Sequence, residues 1–126
     1  KLTGLEGIPF GVKDVYLLKG TISTASSNIL KNYKSPYTAT AIQKLIDAGA
    51  IPVCKENCDQ FGHGSTNENS VFGATKNAHN DNKVAGGSSG GSAVNVAEGS
   101  TIFSIGGDTG GSIRQPAGYN KVFEFR

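Results

Sequence analysis

The sequence contains no methionine, no tryptophan and only two cysteines among its 126 residues. Cys54 and Cys58 lie four positions apart, and neither His63 nor His79 completes a zinc-binding spacing with them. We therefore predict two reduced thiols and no metal site. No apolar run reaches the roughly 18–20 residues of a membrane-spanning helix, and the first residues do not form a signal peptide. A membrane partner is not expected.

The sequence also lacks a large excess of either positive or negative charge. The formal net charge is +2 and the basic residues do not form a block. Such a sequence does not predict a nucleic-acid-binding surface, although a weak contact with RNA is compatible with it. The hydrophobic fraction of 37% is enough for one domain with a modest core.

Glycine is abundant, with 18 residues, about twice the average usage. The most distinctive glycines form two runs, "GGSSGGSA" from Gly86 to Ala93 and "GGDTGGSIRQP" from Gly106 to Pro116. Neither run carries a lysine after its last glycine, as a P-loop requires, and neither matches the dinucleotide pattern G-x-G-x-x-G. Nucleotide binding by these runs is therefore not predicted.

The order of apolar segments indicates an α/β domain. Gly7–Leu18 is predicted as a strand or strand pair. A helix with Ile42 on its apolar face follows, capped by Thr38 and ended by Gly49. Ala50–Cys54 is then expected to form a short buried strand.

The second half of the chain begins with about thirty mostly polar residues, and an ordered loop of that length is usually functional. A helix is predicted after the first glycine run, ending at Gly99, and a strand over Ser100–Gly106 leads into the second run. The final residues, "YNKVFEFR", are typical of the opening of another strand. We expect residues 1–126 to be a partial domain that continues beyond Arg126 in the natural chain.

Ser112 follows two glycines directly after a predicted strand, which is a suitable place for a nucleophile. An acyl-transfer serine needs exposure on a tight turn and backbone N–H groups aimed at the developing oxyanion. The amides of Thr109, Gly110 and Gly111, with that of Ser112, are candidates for this oxyanion hole. The G-x-S-x-G elbow of α/β-hydrolases is absent, because Ile113 follows the serine.

Lys13 is the candidate base, because a lysine inside an apolar run is unusual. Burial lowers the pKa of a lysine, and a neutral amine can accept a proton, here through a hydroxyl of the first glycine run. The alternative is an edge-strand lysine paired with Asp14. His63 is a second candidate base, and His79 is expected to be an exposed loop residue.

Three motifs in order, "GIPFGVKD", "GGSSGGSA" and "GGDTGGSIRQPA", resemble the amidase signature family, and the resemblance extends from Leu5 to about Ala117. It implies an α/β fold with a mixed sheet core flanked by helices. It also implies a Ser–cis-Ser–Lys triad with Ser112 as the nucleophile, Ser88 as the bridging serine and Lys13 as the base. The peptide bond between Gly87 and Ser88 is then expected to be cis.

The resemblance also places the long polar loop near the triad, so Gly62, Gly64 and Ser65 are expected to line the substrate pocket. Ser89 is expected to join the hydrogen-bond network. Asp108 and Arg114 flank Ser112 and are expected to pair and hold the nucleophile loop, with substrate contact as the alternative. Thr66, Asn67 and Asn69 are expected to stabilise the long loop by hydrogen bonds.

The middle segment, "ENCDQFGHGSTNENSVFGATKN", is similar to A-type subunits of glutamyl-tRNA(Gln) amidotransferases, especially mitochondrial or fungal ones. That resemblance implies that glutamine supplies the amide and that ammonia passes to a B-type partner subunit, which uses ATP and Mg²⁺. A small C- or F-type subunit, tRNA bound through the complex and a mitochondrial matrix location are further implications, with the cytoplasm expected for a bacterial chain. No cofactor is expected in this chain. The alternatives are an amidase signature hydrolase of a small, peptide or fatty amide, and a non-catalytic assembly fragment.

Overall fold

The computed structural model describes residues 2–126. Residues 2–126 form three helices and five strands, joined by loops that include two short 3₁₀ turns, Asn28–Leu30 and Gln60–Gly62. The elements are β1 (Pro9–Lys13), α1 (Thr40–Asp47), β2 (Ile51–Glu56), β3 (Lys76–Asn77), β4 (Asn80–Val84), α2 (Gly90–Ala97), β5 (Phe103–Ile105) and α3 (Arg114–Asn120). The predicted α/β class is confirmed.

The central sheet has three parallel strands in the order β2-β1-β5. β1 is therefore the middle strand, and the carboxyl ends of all three strands meet at one edge of the sheet. A separate antiparallel pair, β3 and β4, lies within the predicted polar loop, so that segment is not structureless. Among residues 2–126, no helix is long and apolar enough to cross a membrane.

A small apolar core fixes β1 against its neighbours. Phe10, Val12 and Ile42 are fully buried, and the ring of Phe10 stacks on that of Phe103 in β5 with centroids 5.2 Å apart. Burying one such side chain stabilises a fold by about 1.5–3 kcal/mol. The core therefore holds the strand that ends in Lys13 between α1 and β5.

The predicted helix over residues 38–49 is confirmed as α1, but its predicted cap is wrong. The Thr38 hydroxyl accepts a hydrogen bond from the Lys19 amide, 3.0 Å away, and Ala39 stands at the N-cap without a side-chain bond. Gly49, with φ of +96°, follows the helix as predicted. A loop amide thus competes successfully for the hydroxyl that the sequence pattern assigned to the helix.

Three other predicted elements differ from the structure. The first strand is shorter than Gly7–Leu18 and ends at Lys13. β2 is not buried as predicted, because Ile51 and Val53 are about half exposed, at 50% and 52%. The predicted C-terminal strand is wrong, since the residues up to Asn120 form α3 and those after it lie in irregular structure.

Candidate active site

Lys13 is the last residue of the central strand, and its side chain is buried. Its Nζ donates to Ser88 Oγ at 2.6 Å and to Ser89 Oγ at 2.9 Å. The alternative pairing with Asp14 is wrong on two counts, because β1 is not an edge strand and Asp14 forms its salt bridge with Lys55 at 2.8 Å. The strand therefore delivers one buried amine to the first glycine run.

The first glycine run turns into α2 beside this amine. The Gly87–Ser88 peptide bond is cis, as the resemblance to the family predicts. Ser88 is 1% exposed and its carbonyl accepts from the Asp59 amide at 3.2 Å. Both hydroxyls next to Lys13 thus come from residues immediately before the helix.

The second glycine run meets the first at Ser89. The Ser89 amide donates to the Ser112 carbonyl at 3.1 Å, and its hydroxyl donates to the Gly107 carbonyl at 3.2 Å. Ser112 is partly exposed, and within residues 2–126 its hydroxyl forms no hydrogen bond. Ser89 therefore has the supporting position expected of it, while the Ser112 hydroxyl is left available to a ligand.

Asp108 organises the loop that carries Ser112. Its carboxylate accepts from the amides of Gly111, Ile113 and Arg114 at 2.9, 3.1 and 3.2 Å. It also accepts from Arg114 Nε at 3.1 Å and Nη2 at 3.0 Å, the predicted ion pair. The guanidinium and these amides hold the pKa of Asp108 well below its usual range. The pair closes the loop onto the start of α3.

This arrangement changes the set of amides available to an oxyanion. The Gly111 amide, predicted to face the oxyanion, instead donates to Asp108. Within the described residues, the amides of Thr109, Gly110 and Ser112 have no acceptor. The open donors therefore lie on both sides of Gly111.

Burial lowers the pKa of Lys13 from its ordinary value. The acidic groups of Cys58, Asp59 and Asp108 oppose this shift, because a negative charge on them stabilises the ammonium form. The direction is the one that a lysine base requires, because only the neutral amine can accept a proton.

The predicted pocket residues lie against the first glycine run. A Cβ placed on Gly87 would approach the Ser65 carbonyl carbon to 3.0 Å, so the chain at residues 64–66 passes directly beside the cis peptide. Ser65 and Gly64 are exposed. The expected hydrogen bonding is present for Asn67, which accepts from the Gly91 amide at 3.2 Å, and for Asn69, which donates to the His63 carbonyl at 3.0 Å.

Within residues 2–126, neither histidine and neither cysteine forms a hydrogen bond with Lys13. His63 and His79 are exposed, and His79 Nε2 contacts the Asn120 carbonyl at 2.8 Å. Cys54 and Cys58 are free thiols. Residues 2–126 contain no group of acidic, histidine or cysteine side chains suited to a metal ion.

Two buried acids escaped the sequence reasoning, Glu56 and Asp59. Glu56 accepts from Ser92 and Ser104 hydroxyls at 2.6 Å and from Asn95 Nδ2 at 2.7 Å. It therefore ties β2 to α2 and β5, the two elements that carry the glycine runs. No spacing in the polar segment marks either acid as buried.

Glu56 gives a stability prediction that depends on pH. Burial raises its pKa, so the folded chain binds this proton more tightly than the unfolded chain. Its contribution to the free energy of unfolding is then fully present below the unfolded-state pKa and is lost as pH rises through the folded-state pKa. In Glu56→Gln the free energy of unfolding is expected to decrease less as pH rises. Urea unfolding of the full-length protein between about pH 4 and pH 8 measures this. The exposed Glu98→Gln is the matched control, and an unchanged slope in Glu56→Gln would contradict the prediction.

Comparison with known proteins identifies the family. The family model described as Amidase matches residues 1–126. The chain belongs to the amidase family. The glycine runs and the buried lysine described above are thus set in the fold of that family.

The relatives extend this assignment. The A-type subunit of glutamyl-tRNA(Gln) amidotransferase from Acidobacterium capsulatum is 58% identical over 115 residues, 91% of this chain and 24% of that protein. The crystal structure of the subunit of the same name from Thermotoga maritima has a TM-score of 0.86 and 45% identity over 89% of this chain and 26% of its own. Allophanate hydrolase of Kluyveromyces lactis has a TM-score of 0.86 and 41% identity over 90% of this chain and 18% of its own. The chain spans about a quarter of the length of the curated relatives it matches.

Proposed function

We propose that this amidase chain carries the amide-hydrolysing centre of an A-type subunit of glutamyl-tRNA(Gln) amidotransferase, with glutamine as the amide donor. The observation that carries the proposal is the 2.6 Å contact between the buried Lys13 Nζ and Ser88 Oγ, next to a loop that presents Ser112. The identity of 58% to a subunit of that name supports the choice of substrate.

In the proposed reaction Lys13 begins as the neutral amine. Its lone pair accepts the proton of Ser88 Oγ along the 2.6 Å contact, while an N–H group donates to Ser89 Oγ at 2.9 Å. Ser88 Oγ takes the proton of Ser112 Oγ as that oxygen forms a bond to the amide carbon. Lys13 is left as the ammonium and the carbonyl oxygen becomes an oxyanion.

The oxyanion is then stabilised by the nucleophile loop. The amides of Thr109, Gly110 and Ser112 are proposed as donors, with Gly111 omitted because its amide serves Asp108. Collapse breaks the C–N bond, and the proton returns through Ser88 to release ammonia. Water cleaves the resulting ester on Ser112 by the same proton relay, which releases glutamate.

Around this centre we propose the environment implied by the relatives. Gly64 and Ser65 would contact the substrate, and ammonia would pass to a B-type subunit that uses ATP and Mg²⁺. A small subunit of C or F type, together with tRNA bound through the complex, completes the proposal. The relative from Acidobacterium capsulatum favours a bacterial, cytoplasmic setting over the mitochondrial matrix.

A different amide is the second candidate substrate. The allophanate hydrolase of Kluyveromyces lactis matches this chain with a TM-score of 0.86, as high as that of the Thermotoga maritima subunit. The geometry around Lys13 supports hydrolysis of either kind of amide, because the contact between Lys13 and Ser88 does not select the rest of the substrate. The choice between them therefore needs a substrate comparison.

The test is ammonia release from L-glutamine by the full-length protein with its partner subunits, compared with release from allophanate and simple amides. Glutamine is expected to be preferred, and Ser112→Ala to abolish release while the protein stays folded. Release that survives Ser112→Ala would show that the nucleophile is wrong. Release of ammonia from other amides but not from glutamine would replace glutamine as the substrate. Absence of both ammonia release and probe labelling of Ser112 would favour the non-catalytic assembly alternative.

A further inference from the structure

Asp59 is a buried acid that the proposed reaction does not use. It is 1% exposed and lies three residues after β2. Its amide donates to the Ser88 carbonyl at 3.2 Å, and its carboxylate accepts from the Asn67 amide at 3.1 Å. One residue thus joins the bridging serine to the loop that contains Gly64 and Ser65.

The Asp59 carboxyl fills space that two glycines leave open. A Cβ on Gly87 would lie 2.0 Å from Asp59 Oδ2, and a Cβ on Gly64 would lie 2.4 Å from Oδ1. Both distances are far below van der Waals contact, so neither position has room for a side chain. The carboxyl is therefore packed between the pocket loop and the Gly87–Ser88 peptide.

Asp59 lacks a basic partner within residues 2–126, whereas Asp14 and Asp108 near Lys13 each form a salt bridge. Asp108 is paired with Arg114, whereas burial raises the pKa of the Cys58 thiol and also that of Asp59. The other acids near the end of β1 have partners of their own. Asp14 forms a salt bridge with Lys55, and Glu56 accepts hydrogen bonds from side chains of α2 and β5. Among residues 2–126, no cation forms a salt bridge with Asp59.

We propose that Asp59 is a positioning residue of the triad, which holds the Ser88 segment in place and balances the charge of Lys13 with its carboxylate. This inference rests on the proposed function. Because Ser88 Oγ lies 2.6 Å from Lys13 Nζ, a charge packed on the Gly87–Ser88 peptide acts on the same amine. Asp59 therefore stabilises the ammonium form that Lys13 acquires when Ser112 attacks the amide carbon.

The test uses the rate at which a fluorophosphonate labels Ser112 as a function of pH in the full-length protein with its partner subunits. Labelling needs neutral Lys13, so its rate rises as pH increases through the pKa of Lys13. Asp59→Asn removes a negative charge, which lowers that pKa and shifts the rise to lower pH. The plateau rate is expected to fall roughly ten- to hundredfold as Ser88 is displaced.

Two further variants separate charge from position. Asp59→Glu keeps the charge but displaces it, so the plateau is expected to fall while the rise stays near its wild-type pH. Glu68→Gln removes an exposed carboxylate from the same loop and is expected to change neither quantity. A lower plateau in Asp59→Asn without a shift of the rise would assign Asp59 a structural role only and overturn the inference.

The remaining outcomes also decide the question. If Asp59→Asn does not fold, Asp59→Ser is measured, since its hydroxyl can still accept from the Asn67 amide. If neither variant folds, Asp59 is required for folding and the inference is wrong. Labelling involves no glutamine, so a failure of the proposed substrate leaves this test intact.

Discussion

Replacing Lys13 with methionine is expected to slow ammonia release by roughly 10²- to 10⁴-fold, the usual contribution of a positioned base. Methionine keeps most of the buried volume, so the core around β1 is retained while the amine that contacts Ser88 and Ser89 is lost. The residual rate is also expected to lose its rise with pH. Burial lowers the pKa of Lys13, and deprotonation of this amine is the proposed cause of that rise.

The measurement is a pH profile of ammonia release from glutamine and of serine-probe labelling by the full-length protein. Lys44→Met is the matched control, because Lys44 is exposed on α1 and its loss is expected to leave both readouts within about twofold of wild type. A folded Lys13→Met protein with wild-type rates would exclude Lys13 as the base. Loss of rate with an unchanged pH profile would assign the titrating group elsewhere.

Replacing Gly11 with alanine is expected to cost about 3 kcal/mol or more of stability. Its Cβ would lie 1.7 Å from Glu56 Oε1 and 2.8 Å from Ser104 Oγ. Since Gly11 is in the central strand, the backbone cannot yield without disturbing β2 and β5 together. Glu56 must then leave the serine and asparagine side chains that satisfy its buried oxygens.

Urea unfolding of the full-length protein measures this loss. Gly118→Ala is the control, because nothing lies within 4 Å of its Cβ position, and an alanine inside α3 is expected to stabilise the fold by about 0.5–1 kcal/mol. The double variant Gly11→Ala/Glu56→Ala removes the clash, so its loss should be smaller than the sum of the two single losses. Strict additivity would show that the two residues do not compete for the same space.

Lys13 and Ser112 could be selected as candidates from the residues themselves, while their assignment to a triad with Ser88 came from the resemblance to the family. A lysine in an apolar run and a serine after paired glycines are unusual, and both drew attention to Lys13 and Ser112. The helical spacing of Ile42 with its apolar neighbours likewise predicted α1, since burial of one face dominates helix formation.

The supporting residues could not be predicted, because their burial depends on contacts between distant segments. Asp59 and Glu56 stand in a polar stretch that resembles a solvated loop, and only the assembled sheet and α2 enclose them. The helix α3 is a second case, since "RQPAGYN" contains proline and glycine, both poor helix formers. It forms because Asp108 accepts its first amides and Asn120 donates to the Ala85 carbonyl at 2.8 Å.

The order of the three parallel strands has a consequence for where any ligand would bind. From β1 the chain crosses to β2 on one side, and after α2 it returns to β5 on the other. The carboxyl end of β1 is therefore a topological switch point, where connections diverge and open α/β sheets leave a crevice for ligands. Lys13 occupies that point. Connectivity alone thus selects the position of the site, and the two glycine runs supply its chemistry.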